Sequence, residues 1–270
     1  MRKFLAALIL IPLLLSCSQY QKVLKSTDYE FKYAKAMEYF EKEDFMRAAT
    51  LLNELQGVYR GTDKAETINY TYASCLYGLN DYIMAGHYYR QFVKTFPSSQ
   101  RNEECQFMSG YCYYMTSPKP RLDQTDTYNA INEFQLFVNL YPRSERVAEA
   151  NRLMDELRDK LVYKSYLSAK LYFGLGDYMG NNYLSAVIAA QNSLKEFPDT
   201  KYREELSFLI LEAKYIQAVN SVISKKEERM RDAIDEYFSF INEFPESQYL
   251  NRAVKIYNDA AKNINFEETN

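Results

Sequence analysis

Apolar residues recur along this chain at the spacing of one helix face, and proline punctuates the pattern. Amphipathic stretches meet an aromatic–proline pair four times, at Phe96-Pro97, Tyr141-Pro142, Phe197-Pro198 and Phe244-Pro245. Proline has no N–H to give a helix interior and pushes the residue before it out of the helical region, so each pair closes a helix. A polar pair follows each time, Ser98-Ser99, Arg143-Ser144, Asp199-Thr200 and Glu246-Ser247, and is expected to cap the next helix. Inside the helices a small residue precedes a large apolar one by four: Ala48 and Leu52, Ala85 and Tyr89, Ala130 and Phe134, Ala233 and Tyr237. Residues four apart share a helix face, so these pairs mark the buried side.

The pattern repeats. Ala36, Ala73 and Gly110 hold a small position on successive first helices, 37 residues apart each time. Phe45-Met46-Arg47-Ala48 and Asp81-Tyr82-Ile83-Met84-Ala85 open the second helices. These residues resemble the tetratricopeptide (TPR) repeat, a pair of antiparallel helices with a period of roughly 34 residues. The expected fold is an all-α, TPR-like α-solenoid of about five helix-turn-helix repeats with a C-terminal capping helix. The repeats are expected at 28–61, 65–99, 102–144, 162–200 and 203–247, and the capping helix at 248–263. That divides the chain into N-terminal repeats over 28–144 and C-terminal repeats with their cap over 162–263, followed by a fraying tail at 264–270. Enlarged turns are expected at 116–125, 174–182 and 224–231.

The start of the chain has a different pattern. Arg2 and Lys3 precede an apolar run, Phe4 to Leu15, of signal-peptide length. The run closes on Leu14-Leu15-Ser16-Cys17, which resembles the lipobox of bacterial lipoproteins. Residues 1–16 then form the signal peptide, Cys17 carries the lipid, and 17–27 link lipid to body. A triacylated cysteine anchors without a transmembrane helix, because stable attachment needs more than one acyl chain. Ser18-Gln19-Tyr20 contains no acidic residue, which by lipoprotein sorting rules favours the outer membrane, with the body in the periplasm. The alternative is an ordinary secretory signal with an incidental cysteine.

Composition narrows the chemistry. Eight glycines and seven prolines in 270 residues argue against a turn-rich β fold. The formal charge of -3 and the lack of a basic stripe argue against nucleic acid. Beyond Cys17 the cysteines are Cys75, Cys105 and Cys112. The last two lie about 10 Å apart along one helix, too far to bridge, and buried thiols are expected. The one histidine, His87, has no nucleophile partner in a motif, and neither phosphate-binding loops nor metal-ligand spacings occur. No catalytic residue, metal site or cofactor is expected, apart from the covalent lipid on Cys17.

An aromatic stripe runs through the first helices: Tyr33 and Phe40, Tyr70 and Tyr77, Phe107 and Tyr114, with Tyr166 and Phe173 continuing it. Members of a pair are seven apart, on one face. In the fifth repeat the matching positions are Ile210 and Gln217, where the stripe is expected to stop. It can be packing between helices, or a concave trough that grips an extended peptide.

The lipobox, the segment Tyr33-Ala34-Lys35-Ala36-Met37-Glu38-Tyr39-Phe40, and the junctions Phe96-Pro97-Ser98-Ser99, Tyr141-Pro142-Arg143-Ser144 and Phe197-Pro198-Asp199-Thr200 together resemble the BamD (ComL/YfiO) family. The resemblance covers the mature chain. It implies a non-enzymatic scaffold and substrate receptor of the outer-membrane β-barrel assembly (BAM) machinery. The N-terminal repeats would receive C-terminal segments of unfolded outer membrane proteins. The C-terminal repeats would hold a BamA-like barrel subunit. Two rivals share the repeats: a periplasmic TPR adaptor lipoprotein of pilus or cell-division machinery, and a SusD-like glycan binder. The second stacks sugars on tryptophan, and this chain has none.

Overall fold

A computed structural model describes residues 19–267; the lipobox and Cys17 lie outside the described residues, as do 268–270. Every regular element among the described residues is a helix: α1 (19–24), α2 (Tyr29–Glu41), α3 (Phe45–Val58), α4 (Lys64–Gly78), α5 (Tyr82–Thr95), α6 (Asn102–Thr116), α7 (Thr125–Leu140), α8 (Val147–Leu175), α9 (Asn182–Glu196), α10 (Arg203–Val219), α11 (Ile223–Glu243) and α12 (Leu250–Glu267). From α2 onward they form five helical hairpins and a closing helix, the TPR-like α-solenoid arrangement expected. No helix among the described residues is long and apolar enough to cross a membrane.

The first two hairpins share one turn. Glu43 and Asn80 take positive φ, 58° and 60°, and the next residue caps the second helix. Asp44 accepts from the Arg47 N–H at 3.4 Å and Asp81 from that of Met84 at 3.2 Å. An aspartate side chain satisfies one of the donors a helix start leaves open. Asn181 repeats the cap on α9, accepting from Leu184 at 3.1 Å.

The small positions allow the close approach expected of them. Ala36, Ala48, Ala73, Ala85, Ala130 and Ala233 are wholly buried. A β-carbon on Gly110 would come within 2.9 Å of the Phe134 ring, so the α6–α7 contact depends on its absence.

The chain forms two compact units. The first holds residues up to Pro118 and Asp123–Leu157; the second holds Lys119–Leu122 and the residues from Arg158 on. In the first, α2 to α7 stack in order on a core that includes Leu51, Leu52, Leu55 and Phe92, then Phe134 and Phe137 beneath Leu153 and Leu157. In the second, α9 and α11 flank α10, and α12 closes on α11 through Phe240, Ala253 and Ile256.

Several expected boundaries differ. The segment left between the N- and C-terminal repeats, 145–161, is mostly helix: α8 begins at Val147 rather than 162, and the units divide within it. Residues 224–231 are two turns of α11 instead of a loop. Lysine, glutamate and arginine are good helix formers, and Glu227 pairs with Arg231 one turn on at 2.7 Å. The linker expected at 17–27 contains α1, whose Val23 is buried. The tail expected from 264 is helical to Glu267, with Ile264 packed against Ala218, Met230 and Ala260.

Candidate protein-interaction surface

The four aromatic–proline junctions have one geometry. Phe96, Tyr141, Phe197 and Phe244 hold φ between -128° and -123° and ψ between 59° and 72°, the extended side of the map to which a following proline confines a residue. The polar residue two past proline does not cap the next helix, contrary to expectation. Its hydroxyl accepts the N–H two residues on: Ser99 from Arg101 at 3.0 Å, Ser144 from Arg146 at 3.1 Å, Thr200 from Tyr202 at 3.2 Å, Ser247 from Tyr249 at 3.0 Å. In three junctions the hydroxyl also donates to a glutamate in the first turn of the preceding hairpin: Ser99 to Glu66 at 2.7 Å, Ser144 to Glu103 and Ser247 to Glu204 at 2.6 Å.

That turn positions a flat group over the stripe. The Arg101 guanidinium lies 4.5 Å from the Tyr70 ring centroid and that of Arg146 lies 5.0 Å from Phe107. Tyr202 stacks on Tyr166 at 4.2 Å and Tyr249 on Phe208 at 4.5 Å. In the first repeat the Lys64 ammonium stands 4.8 Å from Tyr33. The first member of each stripe pair is therefore a joint between successive repeats. Phe107 is enclosed, 3% exposed beneath Arg146, Phe134 and Phe137, so it lines no trough; Tyr33 and Tyr70 are half-buried.

The second members lie at the far ends of their helices and are also half-buried. Phe40 packs on Phe45, Tyr77 on Tyr82 and Tyr111, and Phe173 on Tyr183, the aromatic residue that opens the following helix or its neighbour. Tyr114 stacks on Tyr111 and donates to Glu156 at 2.7 Å. The stripe does not stop at the fifth repeat. Its pair there is Phe208 and Tyr215, not Ile210 and Gln217: Phe208 follows Glu204 by four, as Tyr70 follows Glu66 and Phe107 follows Glu103, and Tyr215 donates to Asp259 as Tyr114 does to Glu156. Ile210 is core, packed with Leu206, Leu209 and Ala213.

Other apolar residues face out. Met46 and Ile83, each second in its helix and 37 residues apart, are 63% and 73% exposed. In the second unit two turns carry an apolar rim. Tyr178 and Met179 follow α8, and Val222 and Ile223 follow α10; all four are strongly exposed. The Asn220 amide donates to Asp177 at 2.9 Å and ties the turns together. Met179 takes a φ of 56°, and Gly176 and Gly180 also take positive φ. A non-glycine residue held there costs on the order of 1–3 kcal/mol, the kind of strain that clusters at functional turns. The sequence signal for this rim was available, since a solvent turn rarely gathers Tyr, Met, Val and Ile.

The three thiols have no chemistry to offer in the folded chain. Cys75, Cys105 and Cys112 are free and buried, and burial pushes each up to about 12.

A family model described as outer membrane lipoprotein, YfiO, matches residues 26–218, and so takes in α2 to α10 with the first three junctions. The chain belongs to the YfiO family. The match ends one residue short of the end of α10, leaving the turn that carries Val222, α11 and α12 beyond it. Among solved structures, the TPR2AB domain of yeast Sti1 in its pHSP90 complex is similar, with 12% identity, 86% of this chain and 98% of that chain covered, and a TM-score of 0.38. No curated protein matches.

Proposed function

We propose that this outer membrane lipoprotein is a non-enzymatic adaptor of the β-barrel assembly machinery. The observation that carries the proposal is the YfiO match over residues 26–218, a run of helical hairpins whose exposed residues include large apolar ones. Cys17 holds the acyl anchor, and the body works in the periplasm. The N-terminal repeats receive C-terminal segments of unfolded outer membrane proteins. Tyr33, Phe40, Tyr77 and Tyr114, each half-buried, offer ring surface for an extended chain, with Met46 and Ile83 adding exposed apolar side chains, while Tyr70 is held under Arg101 as a joint. The C-terminal repeats hold a BamA-like barrel subunit, and the rim of Tyr178, Met179, Val222 and Ile223 is the contact we assign to it. A buried side chain of this size contributes roughly 1.5–3 kcal/mol, so a few suffice for a specific contact.

Affinity purification of the lipidated chain in mild detergent tests the proposal. Co-isolation of a large β-barrel subunit is expected. Co-isolation of pilus or cell-division components without a barrel would move the chain to the rival adaptor class.

A further inference from the structure

The first described residues carry an arrangement that adaptor work does not use. Helix α1 is docked on the first hairpin. Val23, 4% exposed, shares a core with Ala36 and Ala48; Tyr20 meets Tyr39 edge-on at 5.8 Å; and the Arg47 guanidinium covers both rings at 5.3 and 5.7 Å. Beside it opens a cleft of about 600 Å³ whose charged lining is Lys22, Lys35, Lys42 and Arg47 against Glu38 and Asp44. Glu38 is shared by Lys35 at 2.6 Å and Lys42 at 2.7 Å, and Asp44 is taken by Arg47 at 2.9 Å. Four cations thus meet two carboxylates. Lys22, and Lys25 three residues on, are exposed and form no ion pair among the described residues. Phe31 lines the same cleft and is 41% exposed.

We infer that this cleft seats a phospholipid headgroup phosphate, so that the first repeat rests directly on the bilayer instead of hanging from it. The inference rests on Cys17 as the acylated residue. Only two residues, Ser18 and Gln19, separate Cys17 from the docked Tyr20, so three residue steps span a reach of at most about 11 Å at roughly 3.6 Å per residue. The acyl chains must therefore enter the membrane within that distance of a fixed, electropositive surface. A phosphate supplies the missing counter-charge, basic residues next to an anchor are drawn to lipid phosphates, and Phe31 stands ready for the interfacial layer.

The test uses the full lipidated chain in vesicles, with a fluorophore at Gln21→Cys. The native thiols are buried and Cys17 is acylated, so labelling is confined to that site. Vesicles of phosphatidylethanolamine and phosphatidylglycerol, and of a neutral phosphate-free galactolipid, each carry a headgroup quencher, and flotation is read in parallel. Strong quenching is expected in phospholipid, falling at least threefold in galactolipid and in the Lys22→Glu, Lys25→Glu double variant. Floating protein whose label is quenched equally in both lipids, or equally in the double variant, overturns the inference. So does quenching that is weak in every vesicle. Protein that does not float refutes the anchor at Cys17 and removes the inference with it. Soluble inorganic phosphate that shifts the label's emission as fully as phospholipid does would also overturn it.

Discussion

Tyr202 lies flat on Tyr166, with ring centroids 4.2 Å apart and planes within 13°. The same place in the junction is held by Tyr249 over Phe208, at 4.5 Å and 8°, and in the first unit by the guanidinium of Arg101 over Tyr70 and of Arg146 over Phe107. A phenol and a guanidinium share one property that matters here. Both are planar and can lie on a π face, the phenol by dispersion and the guanidinium also by its charge. The position is thus specified by shape more than by charge.

Arg146→Tyr should therefore keep the stability of the first unit, whereas Arg146→Ala should lose on the order of 1 kcal/mol from the contact over Phe107. Urea unfolding of the two variants decides it. An alanine variant as stable as the tyrosine one would show that the stacked group does not hold the joint.

The close helix approach at Gly110 makes a sharper prediction. Any β-carbon there meets the Phe134 ring, which is itself fully buried and cannot swing away. Gly110→Leu and the equivalent Ala73→Leu should each destabilise by roughly 1–3 kcal/mol through overpacking. Thermal unfolding measures this, and an unchanged midpoint in both would mean the contact is looser than described.

How far these features were legible depends on what encodes them. The junctions were legible because proline acts on its own neighbour: Phe96, Tyr141, Phe197 and Phe244 hold the same dihedrals wherever they sit in the fold. The continuity of α8 was not, because nothing in 145–161 repeats the aromatic–proline signal, and a helix shared by two units has no boundary to mark. The fifth-repeat register was missed because inserted residues break a fixed period. The glutamate four residues before each aromatic residue, Glu66, Glu103 and Glu204, is the local mark that survives them. Whether a stripe residue packs or faces out depends on residues from the next repeat. Phe107 is closed by Arg146, which no pattern within α6 announces.

Burial of polar atoms sets the alkaline limit of the fold. Tyr70 and Tyr72 are each pushed up to about 12, chiefly by desolvation, against roughly 10 in an unfolded chain. Their protons are bound more tightly in the folded state. The stability they contribute is complete below about pH 10 and is lost as pH rises towards 12. Cys75, Cys105 and Cys112 follow the same sign, so a thiol reagent at neutral pH should label none of them until the chain unfolds. Unfolding followed by phenolate absorbance and by thiol release should show both changes in one alkaline transition. Thiol labelling at the native rate of an exposed cysteine would contradict the enclosed core.

Tyr77 separates packing from peptide binding. It contacts Tyr82 and Tyr111 and keeps part of its ring open, whereas Tyr70 is covered by Arg101. Tyr70→Ala should mainly destabilise. Tyr77→Ala should weaken binding of an aromatic-rich C-terminal peptide several-fold at little cost in stability. Equal peptide affinity for wild type and folded Tyr77→Ala would assign the whole stripe to packing.

The rim of the second unit gives the most direct test of partner binding. Tyr178 and Ile223 are 68% and 81% exposed, so neither contributes to the core, and Tyr178→Ser with Ile223→Ser should leave the unfolding midpoint in place. If the rim docks on a barrel subunit, each side chain is buried in the complex. Losing one then costs roughly 1.5–3 kcal/mol, about ten- to a hundred-fold in Kd. Because the contact is apolar, salt should change the affinity little, unlike a contact made by charged residues. The double variant should then fail to co-purify the barrel subunit while remaining folded and membrane-bound. Asp177→Ala, which cuts the tie to Asn220 without removing any apolar atom from the rim, should weaken capture less than the double variant does, because it loosens the arrangement but leaves the surface. Full capture by the double variant would place the partner elsewhere on the chain.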